Sequence, residues 1–174
     1  DAEGKTARVG GWGHLIDDTG SGYALGRDAL GAVVHALDGR GEATLLSSLI
    51  YDFWRISDER RLIEKVYSTS EKSNIASLSP LVEKAALQGD EIARAIIEKN
   101  AGELTGLVAS IYRKLRLENM RLALLGSLMS NDTLLRESFL GQLAEKLPAV
   151  QVKDPDMDAA SGAALWAWQL VQRK

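Results

Sequence analysis

Residues 10–23, Gly-Gly-Trp-Gly-His-Leu-Ile-Asp-Asp-Thr-Gly-Ser-Gly-Tyr, concentrate the residue types that can do chemistry. Five glycines, two adjacent acids and two aromatics fall within these fourteen positions. Glycine lets the main chain take shapes closed to other residues and lets a ligand approach it closely. Trp12 between two glycines is free to offer its face, and Asp17 and Asp18 can accept hydrogen bonds from hydroxyl groups. Carboxylate acceptors beside an aromatic surface are the chemistry of a sugar site. The same residue types would also make a glycine-rich turn before a helix, with Trp12 filling a core. Asp17 reads either as a second acceptor or as a turn residue bonding its own backbone. His14 reads as a structural donor rather than a ligand or base.

A second candidate is Gly126-Ser127, which follows a short apolar run. In parallel α/β sheets ligands gather at the carboxyl ends of strands, although Gly-Ser after a strand is also a common turn. Trp166 and Trp168 lie two residues apart and so on different faces of any helix. That spacing predicts one in the core and the other at an interface or against structure outside this chain. The charge runs 58–61 and 113–116 read as solvated helix faces.

The elements that must position these groups follow from periodicity. Residues 5–9 predict a short strand entering the glycine loop, after an opening turn over 1–5. Ser21 is the candidate cap of a helix over 22–37, with Leu25, Ala29, Val33 and Leu37 on its buried stripe. Thr44 predicts the cap of a second helix, buried through Leu45, Leu46, Leu49, Ile50, Phe53 and Trp54. Ser57-Asp58-Glu59 starts a third, with Leu62, Ile63, Val66 and Tyr67 inward. Residues 68–79 read as a polar loop, Ser79-Pro80 as a helix start, and Gln88-Gly89 as its end. Asp90 caps the longest helix, whose seam runs Ile97, Ala101, Leu104, Val108, Ile111 and Leu115. After Glu118 the period changes. Strands at 121–125 and 149–152 flank a helix over 132–147 capped by Asn131-Asp132, with Leu135, Phe139, Leu143 and Leu147 on one stripe. A last helix carries Ala160, Ala163, Ala164 and Leu165. Strand, helix, strand, helix predicts parallel pairing with a right-handed crossover.

The 174 residues suit one domain with a real core. A net charge of −3 gives no basic excess that would point to nucleic acid or an anionic membrane. The absence of cysteine excludes disulfides and cysteine-ligated metals. Two well-separated histidines argue against a histidine metal site. No apolar run reaches the roughly 18 residues of a membrane helix. The chain opens on Asp1, and we read it as a fragment of a longer protein.

Gly10-Gly11-Trp12-Gly13-His14, an acid at Asp18, then Gly20-Ser21-Gly22-Tyr23 and a helix resemble the N-acetylglucosamine kinases. These belong to the BadF/BadG/BcrA/BcrD group of the actin-like ATPase superfamily. Val66-Tyr67, Ile75-Ala76, residues 86–90 and Leu124-Leu125-Gly126-Ser127 follow in the family's order. Asp17 and Thr19 depart from it, standing where the family commonly has glycine and glutamate.

The resemblance implies a helix-rich α/β fold, the C-terminal part of an actin-like (ribonuclease H-like) sugar kinase. It divides residues 1–174 into a strand and sugar loop (1–21), a large helical insertion (22–118) and a nucleotide-side βαβα unit (119–174). It implies that Gly11, Trp12, Gly13 and Asp18 bind sugar and that Ala76, Gly126 and Ser127 contact the nucleotide. Its cofactors would be ATP and Mg2+. Its phosphate loops and catalytic aspartate lie upstream of the glycine motif, so no catalytic residue is expected in this chain, nor activity from it alone. A missing N-terminal domain, a possible homodimer and a cytoplasmic location are further expectations. Two other readings are a sugar-binding or regulatory module without catalysis, and the ATPase that activates 2-hydroxyacyl-CoA dehydratases. The latter holds an iron–sulfur cluster through cysteines that this chain lacks.

Overall fold

The computed structural model describes residues 5–68 and 72–172. Six helices come first: α1 (Gly22–Leu37), α2 (Leu46–Trp54), α3 (Glu59–Ser68), α4 (Lys72–Ala76), α5 (Ser79–Leu87) and α6 (Glu91–Leu115). Then follow β1 (Met120–Ala123), α7 (Ser127–Ser130), α8 (Leu134–Lys146), β2 (Val150–Lys153) and α9 (Ala159–Gln172). The architecture is helix-rich α/β. β1 and β2 pair in parallel, with Met120 opposite Val150 and Ala123 opposite Lys153. The connection between them runs through α7 and α8, as parallel strands require.

The helix starts follow their capping residues. Ser21 accepts from the Ala24 N–H at 3.1 Å and opens α1. Asp90 accepts from the Ala93 N–H at 2.8 Å and opens α6. The second oxygen of Asp90 accepts from Thr44 Oγ1 and from the Leu45 N–H, at 2.8 and 2.5 Å. One carboxylate therefore serves two helix starts. Burial pushes its pKa up, but these donors outweigh burial and hold it below the ordinary range.

The core lies where α1, α2, α5, α6 and α8 meet. Val33, Leu46, Ile50, Leu78 and Val82 are fully buried there. The stripe predicted for α8 packs inward through Leu135, Phe139 and Leu143 against the α6 seam residues Ile97 and Ala101. Each large apolar side chain buried in this way contributes roughly 1.5–3 kcal/mol.

Several expectations are corrected. Residues 5–9 carry no strand, because no neighbouring strand among the described residues pairs with them. The polar loop contains α4, while its residues 69–71, like the opening turn at 1–4, lie outside the described residues. Helix α8 is capped by Thr133 rather than Asn131-Asp132, because the turn α7 occupies the preceding residues. Leu37, Leu45, Phe53, Ile63 and Tyr67 are exposed. Leu45 stands just before α2, and Ile63 and Tyr67 line an open groove beside α1 rather than the closed core. Trp166 and Trp168 are both exposed, because α9 buries none of its described residues.

Asn100 ties the first part of this body together. Its side chain is fully buried on α6. Its amide oxygen accepts from the Gly20 N–H at 3.3 Å. Its amide nitrogen donates to Asp28 Oδ2 on α1 at 3.1 Å and to the Ile96 carbonyl at 2.9 Å. Removing one partner leaves buried groups unsatisfied, at a cost of about 1–3 kcal/mol. Asn100→Ala is therefore expected to lower the unfolding free energy by that amount, read as a lower urea midpoint with the slope unchanged. An unchanged midpoint would show that the buried amide does not hold the loop.

Candidate sugar and nucleotide sites

The glycine loop folds back on itself at an isolated antiparallel bridge between Gly13 and Asp17. The Gly13 carbonyl accepts from the N–H groups of Ile16 and Asp17, at 3.0 and 2.9 Å. Trp12 and Asp18 are the residues that flank this bridge on its open side. Trp12 is 68% exposed, so it is not a core residue. The Arg8 guanidinium sits over its ring, 5.4 Å from the centroid, and donates to the carbonyls of Gly10 and Gly11. Lys114 in turn donates to the Arg8 carbonyl at 3.3 Å, joining this segment to the end of α6.

The loop's exit is fixed more firmly than its tip. Gly20 is buried with φ +71°, and an added Cβ would overlap Leu104 of α6. Only glycine meets both conditions. Beyond it, the Ser21 hydroxyl caps α1 and donates to Asp18 Oδ2 at 2.8 Å. The start of α1 thus sets where the acid stands.

Asp18 has a second partner from elsewhere in the chain. Lys72 Nζ, at the start of α4, lies 2.5 Å from the same Oδ2. Burial alone would push the Asp18 carboxyl up. The hydrogen bonds from Lys72 and Ser21, with Lys72 and His14 nearby, outweigh it and hold the group below the ordinary aspartate range. Asp17 accepts from the Thr19 hydroxyl at 3.1 Å, which is the turn role. The His14 ring packs edge-on against Tyr23, 5.0 Å between centroids.

The nucleotide-side candidates lie on neighbouring elements. Ala76 ends α4, and its carbonyl abuts Gly22 of α1, where an added Cβ would stand 3.4 Å away. Gly126 precedes α7 and its carbonyl accepts from Met129 and Ser130, leaving Ser127 exposed at the helix start. Ser79, just beyond Ala76, and Leu128, next to Ser127, line one small space with Thr133. The structure holds Gly11, Trp12, Gly13 and Asp18 in one loop, while Ala76, Gly126 and Ser127 do not themselves line the small space that Ser79 and Leu128 share.

Sequence reasoning missed Lys72, Arg8 and Asn100. Lys72 carried no local signal. Asn100 did, since it stands three and four residues beyond Ile97 and Ile96 on the buried stripe of α6. Among the described residues there is no cluster of three potential metal ligands and no helix long and apolar enough to cross a membrane.

Residues 1–167 match the BadF/BadG/BcrA/BcrD ATPase family. The chain belongs to that family. It is 35% identical over 168 residues to the N-acetylmuramic acid/N-acetylglucosamine kinase of Clostridium acetobutylicum, covering 95% of this chain and 55% of that protein. It is 34% identical to the N-acetyl-D-glucosamine kinase of Dictyostelium discoideum, covering 95% and 53%. A crystal structure from Chromobacterium violaceum, provisionally assigned as an N-acetylglucosamine kinase, superposes with a TM-score of 0.73 at 25% identity, covering 95% of this chain and 53% of that one. The chain therefore spans about half the length of these relatives.

Because Asp18 has a depressed native pKa, its contribution to stability is fully present above its unfolded pKa. That contribution is lost as pH falls through the native value. The melting temperature of Asp18→Asn should therefore lie below that of the unsubstituted protein at neutral pH, with the gap closing in acid. A gap that persists undiminished at the lowest pH would refute the ionic role.

Proposed function

We propose that this chain is the C-terminal part of an ATP-dependent amino-sugar kinase acting on N-acetylglucosamine or a related hexosamine. The observation that supports the reading is the Gly13–Asp17 bridge, which closes a loop carrying an exposed aromatic, Trp12, and a charged acceptor, Asp18, in a member of this family. Asp18 accepts from sugar hydroxyls, and Trp12 lies alongside the ring. The backbone at Gly11 and Gly13 approaches the ring closely. The names of the two curated relatives favour an N-acetylated hexosamine over a neutral sugar. Asp18 is a binding group here, not the base that takes the proton from the attacking hydroxyl.

ATP supplies the phosphoryl group when bound. Ala76, Gly126 and Ser127 are the residues that hold its nucleoside end, and the space shared by Ser79 and Leu128 is what supports placing them together. Mg2+ is held chiefly through phosphate oxygens and waters, with one or two carboxylates. The described residues offer no three-ligand cluster for it, and no step is assigned to it.

The phosphate-binding loops and base belong to a further domain of a longer protein, with the sugar bound between the two. That domain also covers the open edges of β1 and β2 and the apolar residues Leu165, Trp166, Trp168, Leu170 and Val171, all now exposed. A homodimer is compatible with this arrangement. The location expected for such a kinase is the cytoplasm.

Two measurements test the reading. ATP- and sugar-dependent phosphorylation by this chain alone should stay at background, and turnover well above it would defeat the assignment of catalysis to a missing domain. In the full-length protein, Asp18→Asn should weaken sugar binding about ten- to a hundredfold, the equivalent of losing roughly 1.5–3 kcal/mol of charged hydrogen bonding. ATP affinity should be little changed, and an unchanged sugar affinity would remove Asp18 from the site.

A further inference from the structure

Asp18 is oriented by donors that share one oxygen. The Ser21 hydroxyl and Lys72 Nζ both meet Oδ2, at 2.8 and 2.5 Å. Among the described residues, that leaves Oδ1 to accept from a ligand hydroxyl. A carboxylate has about four lone-pair sites, so loading one oxygen from inside fixes the direction of the other without using it up.

An ordinary exposed ion pair would not do this, because long side chains lose too much freedom for the small gain. Three features set this pair apart. Asp18 is only 22% exposed at its side chain. Its other donor, Ser21, is itself immobilised as the cap of α1. And α4, which carries Lys72, is held hard against α1. At Gly26 an added Cβ would overlap the Ile75 carbonyl oxygen, and at Gly22 it would stand 3.4 Å from the Ala76 carbonyl oxygen. Glycines on the α1 face let the α4 backbone come this near, so the Lys72 stem starts from a fixed point. Of the charged groups around Asp18, Lys72 arrives from α4 and His14 from the loop itself.

We propose that Lys72 is a positioning residue for the sugar, holding Asp18 so that Oδ1 faces a hydroxyl of the bound hexosamine. This rests on the amino-sugar reading above. Lys72 acts through Asp18 and need not touch the sugar.

The test uses the full-length protein with N-acetylglucosamine as probe, in unsubstituted, Lys72→Met, Lys72→Arg and Lys84→Met forms. Lys84 is an exposed lysine on α5 and serves as the control. Calorimetric titration should show sugar affinity about tenfold weaker for Lys72→Met, largely recovered in Lys72→Arg and unchanged in Lys84→Met. The Michaelis constant for sugar should rise with little change in kcat. The carboxyl carbon resonance of Asp18 should titrate at higher pH in Lys72→Met than in the unsubstituted protein. Should Lys72→Met fail to fold, Lys72→Gln provides the same comparison. Equal affinity in Lys72→Met overturns the proposal and leaves the sugar reading standing. Tighter binding overturns it in the opposite sense, with Lys72 competing against sugar for the acid. If the unsubstituted protein takes up no N-acetylglucosamine, the amino-sugar reading falls and this proposal falls with it.

Discussion

The arrangement of the loop depends on one buried amide. Asn100 reaches from α6 to the Gly20 N–H at the loop's exit and to Asp28 on α1, and it also bonds its own helix. Lys99 and Arg27 meet the two oxygens of Asp28 on its outer side, at 2.9 and 3.0 Å. A buried polar group is tolerated only when its hydrogen bonds are met. Here satisfying them fixes the angle at which the chain leaves the loop and enters α1. The position of Ser21, and hence of Asp18, is a consequence of that angle.

A second constraint acts at shorter range. The α1 face that meets α4 is built from Gly22 and Gly26, so the helices approach to backbone contact. A larger residue at Gly26 would push α4 away and carry Lys72 with it. The glycine loop and Ala76, the residue proposed to meet the nucleotide, are therefore fixed to the same pair of helices. One helix end supplies the Asp18 partner and the other supplies Ala76.

What was legible in the sequence was local. Ser21 and Asp90 cap the helices they were expected to cap, because a cap is decided within three residues. The α8 stripe was equally plain from its spacing. The β1 and β2 runs were found because short apolar stretches ended at turn residues. The strand expected at 5–9 failed because strand formation needs a partner, and periodicity cannot supply one. Exposure of Phe53, Ile63 and Tyr67 was illegible for a related reason, since an apolar residue does not say whether its neighbour is near enough to bury it. In the candidate site, the loop residues could be nominated because their chemistry is carried by contiguous types. Lys72 and Asn100 could not be assigned roles, because each reaches its target across the fold.

Burial is unevenly spread along the molecule, and this shapes its motions. The helices from α1 to α8 share one packed core, whereas α9 contributes no buried side chain to it. Local opening is least costly where few apolar contacts must be broken. Amide hydrogens of α9 should exchange with solvent orders of magnitude faster than those of α6, although both are regular helices. The C-terminal helix is thus a reporter built into the chain. Whatever docks on its tryptophans would announce itself by slowing that exchange, before any change in the core could be seen.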